Sequence, residues 1–285
     1  MADFDDLQLD RPVRPAVPSG PRLPAWLLLV VAVFVIGFGA LWYFTSRGTS
    51  RSANPATTTG SVGIVQSTPP TRLQAEPGEQ IDLPPLDETD PLVRTLVGRL
   101  SAHPQIVAWL ATDHLIRNMA VSVANVASGQ TPAKQLGALR PVGQFAVRQS
   151  GGDVILDPSS YRRYDNIASA IDGLDARGVA RFYATVKPRL DDAYRELGST
   201  DDDFDRTVER AIVALLQTPV VEGEIRLRAD SVSYKFADPA LEGLTKAQRQ
   251  FLRMGPRNMR IVKAKLRDVA RYLGIPESSL PPASG

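Results

Sequence analysis

One stretch of this sequence restricts its architecture more than any other. From Pro24 to Phe44, 21 consecutive residues carry no charge. As an α-helix this stretch would be about 31 Å long, which matches the ~30 Å hydrocarbon core of a bilayer. Trp26 lies near one end and Trp42 and Tyr43 near the other, as interfacial aromatic residues do. Because a single segment satisfies its backbone in lipid only as a helix, the stretch predicts a transmembrane helix.

Two alternatives compete with this transmembrane helix. A buried helix of a soluble domain normally has one polar side, which residues 24–44 lack. A cleaved signal peptide has a shorter apolar stretch, about 7–15 residues, and a small-residue cleavage site. Here the apolar stretch is longer and follows a polar tail, residues 1–23. Both observations favour an uncleaved anchor.

Basic residues on either side of the apolar stretch indicate its orientation. Those before it are Arg11, Arg14 and Arg22, and those after it are Arg47 and Arg51. Because cytoplasmic flanks are enriched in Lys and Arg, this excess predicts a cytoplasmic N-terminus. In a bacterium with two membranes, the helix would lie in the inner (cytoplasmic) membrane and the C-terminal domain in the periplasm.

Small residues recur along one face of the predicted membrane helix. Ala25, Ala32 and Gly39 are each seven positions apart and therefore share that face. Small residues let two membrane helices approach closely, so the pattern allows a homodimer.

The segment after the apolar stretch, residues 45–85, is rich in Ser, Thr, Pro and Gly and poor in large apolar residues. Such a segment cannot bury enough surface to offset its ordering entropy. It predicts a flexible linker with an end-to-end distance of roughly 35 Å. Residues 86–285 then show the pattern of a folded soluble domain.

The predicted fold class of this domain is mainly α (α+β). Helices are predicted at 90–100, 103–111, 114–126, 131–140, 157–174, 175–197, 204–217, 245–254 and 256–273. Asp90 and Asp113 are the predicted N-caps of the first and third of these helices, because a carboxylate there accepts from free N–H groups. Two β-hairpins, at 144–156 and 224–236, interrupt the helical pattern and can pair into one antiparallel sheet.

Several segments of the domain together resemble one known family. They are LPPLDETDP (83–91), WLATD (109–113), DPSSYRRYD (157–165), KPRLDDAYRELG (187–198) and RMGPRN (253–258). The chain resembles the bacterial "domain of unknown function 3014" family over nearly all of residues 83–280. The resemblance implies the same membrane-anchored layout, and it brings no catalytic or binding residues.

Composition narrows the chemistry of the domain. The chain has no cysteine, which excludes disulfides, thiolate zinc sites and a cysteine nucleophile. It has two histidines and a net charge of +2, which argue against a histidine-rich metal site and against nucleic acid as a partner. No cofactor is predicted.

Two local clusters offer only weak signals for chemistry. Asp201, Asp203 and Asp205 have the spacing of a calcium loop, but Arg206 and Ile212 occupy the positions where such a loop has Gly and Glu. Acidic residues there more simply favour the N-terminus of the next helix. The neighbours Asp113 and His114 would point in different directions on a helix, so they do not predict an acid–base dyad.

Two groups of residues are candidates for binding. The first is Tyr161, Arg162, Arg163 and Tyr164, since arginine binds carboxylates and phosphates and tyrosine stacks. Its alternative is a tyrosine pair packed in the core beside an Arg–Asp bridge.

The second group lies on one side of the last predicted helix, at Arg260, Lys263, Arg267 and Arg271. Residues 245–272 carry nine basic side chains and one acidic side chain, a net charge of +8. This basic face suits an acidic envelope protein or an anionic polymer. Its alternative is a solvated face neutralised by acids of the same domain.

We therefore expect a non-enzymatic envelope protein that uses an anchored domain as a scaffold or docking site. One alternative is an enzyme acting on an envelope polymer through carboxylates brought together in a cleft. Another is a cytoplasmic domain that uses its basic face on anionic lipid or nucleic acid.

Overall fold

The computed structural model describes residue 73 and residues 76–198, 203–230 and 233–282. The predicted tail, the predicted membrane helix and most of the predicted linker therefore lie outside the described residues. Within the part that is described, no helix combines the length and the apolar composition needed to cross a bilayer.

Helices dominate the described part of the chain. They are α1 (Asp90–Leu100), α2 (Pro104–Leu110), α3 (Leu115–Ala127), α4 (Ser159–Arg162), α5 (Asp165–Asp172), α6 (Ala176–Glu196), α7 (Phe204–Leu216), α8 (Pro239–Glu242), α9 (Lys246–Leu252) and α10 (Gly255–Tyr272). Short 3-10 turns occur at Leu86–Glu88, Gly137–Leu139 and Glu277–Ser279.

The two predicted hairpins form one four-stranded antiparallel sheet. Its strands are β1 (Val147–Ser150), β2 (Asp153–Leu156), β3 (Arg226–Asp230) and β4 (Ser233–Phe236), in the order β1-β2-β3-β4. Gly151 and Gly152 have φ values of 58° and 87°, as the two-residue turn of a tight hairpin requires. The expected mainly helical fold with a small antiparallel sheet is confirmed.

The core has two main parts, which α10 joins. One part is helical and lies among α1, α2, α3, α6 and α7, where Leu115, Ile116 and Leu190 are almost fully buried. The other lies between the sheet and α9 and α10. The C-terminal end of α10 packs into the first part through Ala270, and its N-terminal half packs into the second through Met259.

The helix predicted at 131–140 is wrong. The segment forms turns followed by the 3-10 turn Gly137–Leu139. Only eight residues lie between Pro132 and Pro141, and Gly137 is one of them. Glycine disfavours a helix interior, and Pro141 keeps the preceding Arg140 in an extended conformation. The segment therefore does not extend into an α-helix, although Leu136 and Leu139 still pack against the helical core.

The single helix predicted at 157–174 is broken into α4 and α5. The break lies at Arg163 and Tyr164, where the N–H of Tyr164 donates to the carbonyl of Tyr161 at 3.0 Å. The side chain of Asn258 donates to the same carbonyl at 3.1 Å. Because that carbonyl is engaged by these two donors, the helix ends at Arg162, and Tyr164 becomes the N-cap of α5.

The predicted caps of the first and third helices are also wrong. Asp90 lies inside α1, and its carboxylate accepts from the N–H groups of His114 and Leu115, each at 2.8 Å. It therefore caps α3 from another helix. His114 has a φ of 57°, a left-handed conformation that turns the start of α3 toward Asp90. Asp113 is left with its side chain 82% exposed.

Residues 76–85, which belong to the stretch predicted as linker, lie along α6. The N–H of Glu79 donates to Oγ1 of Thr185 at 2.8 Å. Arg189 donates to the carbonyls of Pro84 and Leu83 at 2.7 and 2.9 Å. Contacts with the helical domain thus begin before residue 86.

Candidate ligand-binding cleft

A cleft of about 420 Å³ lies between the inner face of the sheet and the helices α4 and α9. This volume is in the range of sites that bind small molecules or short segments of a partner. The residues that line the cleft are Pro141, Phe145, Leu156, Ser160, Arg163, Tyr164, Leu227, Ser233, Tyr234, Phe236, Gln250 and Arg253. None of these described lining residues carries a carboxylate.

The sheet supplies an apolar wall to the cleft. Leu227 and Phe236 are directly opposite each other on β3 and β4. Val154 on β2 is opposite Leu227, and Leu156 lies two residues further along the same strand. Because side chains two apart share a face, Leu156, Leu227 and Phe236 line one side of the sheet, and each is at most 7% exposed.

Two arginines, Arg163 and Arg253, supply the charge of the cleft. Neither guanidinium forms an ion pair with any residue that the structure describes. Nε of Arg163 is buried and has no hydrogen-bond partner among these residues, although its guanidinium carbon lies 5.9 Å from the centre of the Tyr164 ring. A buried donor without an acceptor is costly, so a bound carboxylate or phosphate would stabilise this arrangement.

Asn258 holds the two arginines in place. It is 2% exposed, and its Nδ2 donates to the carbonyls of Tyr161 and Met254, each at 3.1 Å, and to Oδ1 of Asp165 at 2.9 Å. The first and third of these bonds fix the junction that contains Arg163. The bond to Met254 fixes the turn between α9 and α10, one residue after Arg253.

Gly255 brings the same two segments close together. Its φ is 78°, a region that favours glycine. A Cβ atom there would collide with the ring of Tyr161. Burial raises the pKa of Tyr161, as expected for a ring packed against α10. Tyr161 therefore supports the cleft from behind and does not line it.

The mouth of the cleft is aromatic and exposed. The rings of Phe145 and Tyr234 lie with their centres 5.9 Å apart. The exposed fractions of Phe145 and Tyr234 are 39% and 38%, and Val142, next to the cleft residue Pro141, is 81% exposed. Exposed apolar side chains that cluster beside a cleft mark a site of interaction.

A second polar cluster surrounds Lys187 and is structural in character. Nζ of Lys187 lies 2.9 Å from Asp191 and 3.2 Å from the fully buried Asp205. The hydroxyl of Tyr183 donates to Asp205 at 2.5 Å. Burial alone would lower the pKa of Lys187, but its bond with Asp191 and the charge of Asp205 raise it. The pKa of Tyr183 is raised, first by burial and then by the bond with Asp205.

This cluster also accounts for the acidic residues whose spacing resembles a calcium loop. Asp203 is the N-cap of α7 and Asp205 lies in its first turn, as the helix-terminus interpretation predicts. An ammonium group already lies beside both, because Nζ of Lys187 is 3.6 Å from Asp203. Among the described residues, no group of three or more His, Cys, Asp or Glu side chains could hold a metal ion, and Asp201 lies outside them.

The four residues of the first predicted binding group separate in the structure. Arg163 and Tyr164 line the cleft, Tyr161 packs behind it, and Arg162 is exposed outside it. Asp165 lies 3.7 Å from Arg257, so the acid beside this group is paired with α10. The tyrosines do belong to the sheet core, as the alternative interpretation expects.

The second predicted group, on α10, is largely paired within the domain. Arg260 pairs with Glu222, Arg267 with Glu277 at 3.3 Å, and Arg271 with Asp268 at 3.2 Å. Lys263 is 8% exposed and donates to the carbonyl of Thr218 at 2.5 Å. Burial, followed by the charge of Arg267, lowers the pKa of Lys263. The structure does not bring these four residues to the cleft.

Sequence reasoning missed Arg253, Gln250, Phe145 and Tyr234 as parts of one site. The only available signal was the position of Arg253 in the basic stretch 245–272 and in the family-like segment 253–258. Nothing in the local pattern connects these residues with Arg163, because they meet only when the sheet packs on α4 and α9.

The architecture is thus a mainly helical domain with a four-stranded sheet and a cleft lined by arginine and aromatic side chains. The chain belongs to the family described as "Protein of unknown function (DUF3014)", whose model matches residues 115–270. The resemblance predicted from the sequence segments is confirmed. No curated protein and no solved structure matches the chain.

Proposed function

We propose that this chain is a membrane-anchored docking protein without catalytic activity, whose cleft binds an anionic group of a partner. The observation that supports the proposal is the pair Arg163 and Arg253, two guanidinium groups without an acidic partner among the described residues, facing an apolar wall. The described residues that line the cleft include no carboxylate, so they give no support to hydrolysis by paired carboxylates at this site.

The proposed setting follows from the sequence outside the described residues. Residues 24–44 anchor the chain in the inner membrane, and the intervening segment lets the domain act in the periplasm at some distance from the bilayer. The proposed partner is an acidic envelope protein or an anionic polymer. A second copy of the chain can associate through the small-residue face of the anchor.

In-cell photocrosslinking of the full chain tests this function. A photoreactive amino acid is placed at Tyr234 in the mouth of the cleft or, as a control, at Val107, which is 53% exposed on α2. We expect a discrete adduct from position 234 that is lost in the double variant Arg163→Gln/Arg253→Gln. Arg162→Gln, the exposed neighbour outside the cleft, should leave the adduct unchanged.

The same adducts from both positions, or an adduct that persists in the double variant, would contradict the proposal. A C-terminal reporter fusion that is active only in the periplasm or only in the cytoplasm tests the proposed location separately. Activity in the cytoplasm would exclude the proposed orientation without bearing on the cleft.

A further inference from the structure

We infer that the cleft binds an extended peptide segment of a partner protein, in which an acidic side chain lies among apolar residues. This inference rests on the proposed docking function and names its ligand. It is distinct from the binding of a free anion or of a lipid headgroup, which would use the same two arginines.

The charge of the cleft selects the acidic side chain. Guanidinium groups bind carboxylates through two parallel hydrogen bonds, and Arg163 has a buried Nε without a partner among the described residues. Arg253 is exposed at the end of α9. One inner and one outer guanidinium suit an acid that enters the cleft from solvent.

The rim of the cleft selects a ligand longer than a small molecule. Six large apolar side chains are exposed among the described residues, and Val142, Phe145 and Tyr234 make up half of them. They lie outside the apolar wall, at or beside the mouth. A ligand that covers them must continue beyond the cleft, as a peptide with apolar side chains on both sides of its acid would.

The edge of the sheet distinguishes a peptide from a lipid. The N–H of Ala237 donates to the carbonyl of Arg226, and antiparallel pairs alternate between bonded and non-bonded positions. The bonded positions of β4 are therefore Ser233 and Lys235, so the backbone groups of Tyr234 and Phe236 point away from β3. The carboxylate of Glu242 accepts from the N–H of Phe236 at 3.0 Å.

Tyr234 is thus left with an N–H and a carbonyl directed outward at the edge strand, and its side chain lines the cleft. A peptide strand can bond to both groups, as in other cases of recognition by strand addition. A lipid headgroup lacks the alternating backbone donors and acceptors that this edge would satisfy.

The test uses the full chain in nanodiscs of neutral phosphatidylcholine, with empty nanodiscs as the background. The probe is a fluorescein-labelled hexapeptide amide of valine and phenylalanine with one central aspartate, and binding is followed by fluorescence polarisation. We expect the same peptide with asparagine to bind about tenfold more weakly or worse, because a charged hydrogen bond is lost. Arg163→Gln and Arg253→Gln should weaken the aspartate peptide by a similar factor, and Arg162→Gln should not.

Backbone methylation tests the strand geometry. In edge pairing only alternate N–H groups of the peptide face the sheet. We therefore expect one of two peptides, N-methylated at successive residues, to lose binding and the other to keep it. Equal affinities of these two peptides, or of the aspartate and asparagine peptides, would overturn the inference.

The remaining outcomes separate the ligand from the function. If no peptide binds but vesicles of phosphatidylglycerol bind in a way that depends on Arg163 and Arg253, the inferred peptide ligand is wrong. The proposal that the cleft binds an anionic group then remains supported. If neither binds and the in-cell adduct at position 234 is also absent, the proposed function fails together with the inference.

Discussion

Replacing Asn258 should destabilise the domain, because this buried side chain joins the two segments that carry Arg163 and Arg253. Asn258 is 2% exposed, and its Nδ2 donates to two backbone carbonyls and one carboxylate. A hydrogen bond contributes about 0.5–1.5 kcal/mol net, and a buried acceptor left without a donor costs about 1–3 kcal/mol. The carbonyl of Tyr161 keeps its bond from the N–H of Tyr164, Asp165 is partly exposed, and Oδ1 of Asn258 is itself buried without a partner among the described residues. We therefore expect Asn258→Ala to lower the free energy of unfolding by about 1–2 kcal/mol.

The assay is urea unfolding of the full chain followed by circular dichroism. A lower midpoint with an unchanged denaturant slope indicates a loss of stability alone. The matched control is Asn166→Ala, an exposed residue of α5, for which the midpoint should stay nearly constant. Equal midpoints for wild type and Asn258→Ala would refute the role assigned to Asn258.

Asn258→Asp provides a second readout that a loss of packing alone would not produce. The new carboxylate would lie in the position that now donates to Oδ1 of Asp165 at 2.9 Å. Burial and the neighbouring charge would raise its pKa above the ordinary value. The variant should therefore be least stable at neutral pH and recover part of its stability, relative to wild type, as the pH falls. A pH-independent difference would contradict this electrostatic reasoning.

Three further predictions, two of them with a control substitution, test other parts of the structure. Gly255→Ala should cost about 1–3 kcal/mol, because the left-handed backbone is strained for alanine and the ring of Tyr161 occupies the space of a Cβ atom. The control is Gly98→Ala, at an exposed helix position with open space around it, which should stabilise the domain by about 0.5–1 kcal/mol. The unfolding midpoints of Gly255→Ala and Gly98→Ala should therefore move in opposite directions from that of wild type. Asp90→Ala should lower the stability measured by thermal unfolding by about 1–2 kcal/mol, because α3 loses its cap. Asp113→Ala should have no measurable effect. A larger loss of stability in Asp113→Ala than in Asp90→Ala would refute the assigned cap. Asp192 has its pKa lowered below the ordinary 3.8, first by the bond from Arg189 and then by Arg195, so its stabilising contribution is present above about pH 4 and is lost as the pH falls through the lowered pKa. In Asp192→Asn, the urea midpoint should therefore fall less steeply than in wild type as the pH is lowered below about 4. The same dependence of the midpoint on pH in both proteins would contradict the assigned pairing.

Much of the fold follows from local signals in the sequence. The apolar spacing of α6 and the glycine pair between β1 and β2 are signals carried by neighbouring residues, so these elements were predicted correctly. The missed features depend on distant contacts. Asp90 caps a helix that starts 25 residues later, and Asn258 ends α4 from a position 97 residues away.

The cleft illustrates the same limit. The sequence marks Arg163 and Tyr164 as a recognition-like pair, but Arg253 is contributed by a separate helix and Tyr234 by the last strand. The basic stripe on α10 is visible in the sequence, yet its acidic partners Glu222 and Glu277 lie outside that helix. Periodicity predicts which face of a helix a residue occupies, and it carries no information about which distant charge will face it.

Occupancy of the cleft in living cells can be measured by the reactivity of its arginines toward phenylglyoxal, quantified by mass spectrometry. In the purified full chain, we expect Arg253 and the exposed Arg162 to react readily and the partly buried Arg163 to react more slowly. In intact cells, a bound partner should protect Arg163 and Arg253 and leave Arg162 reactive. Equal reactivity of Arg163 and Arg253 in cells and in the purified protein would contradict a docking role for the cleft.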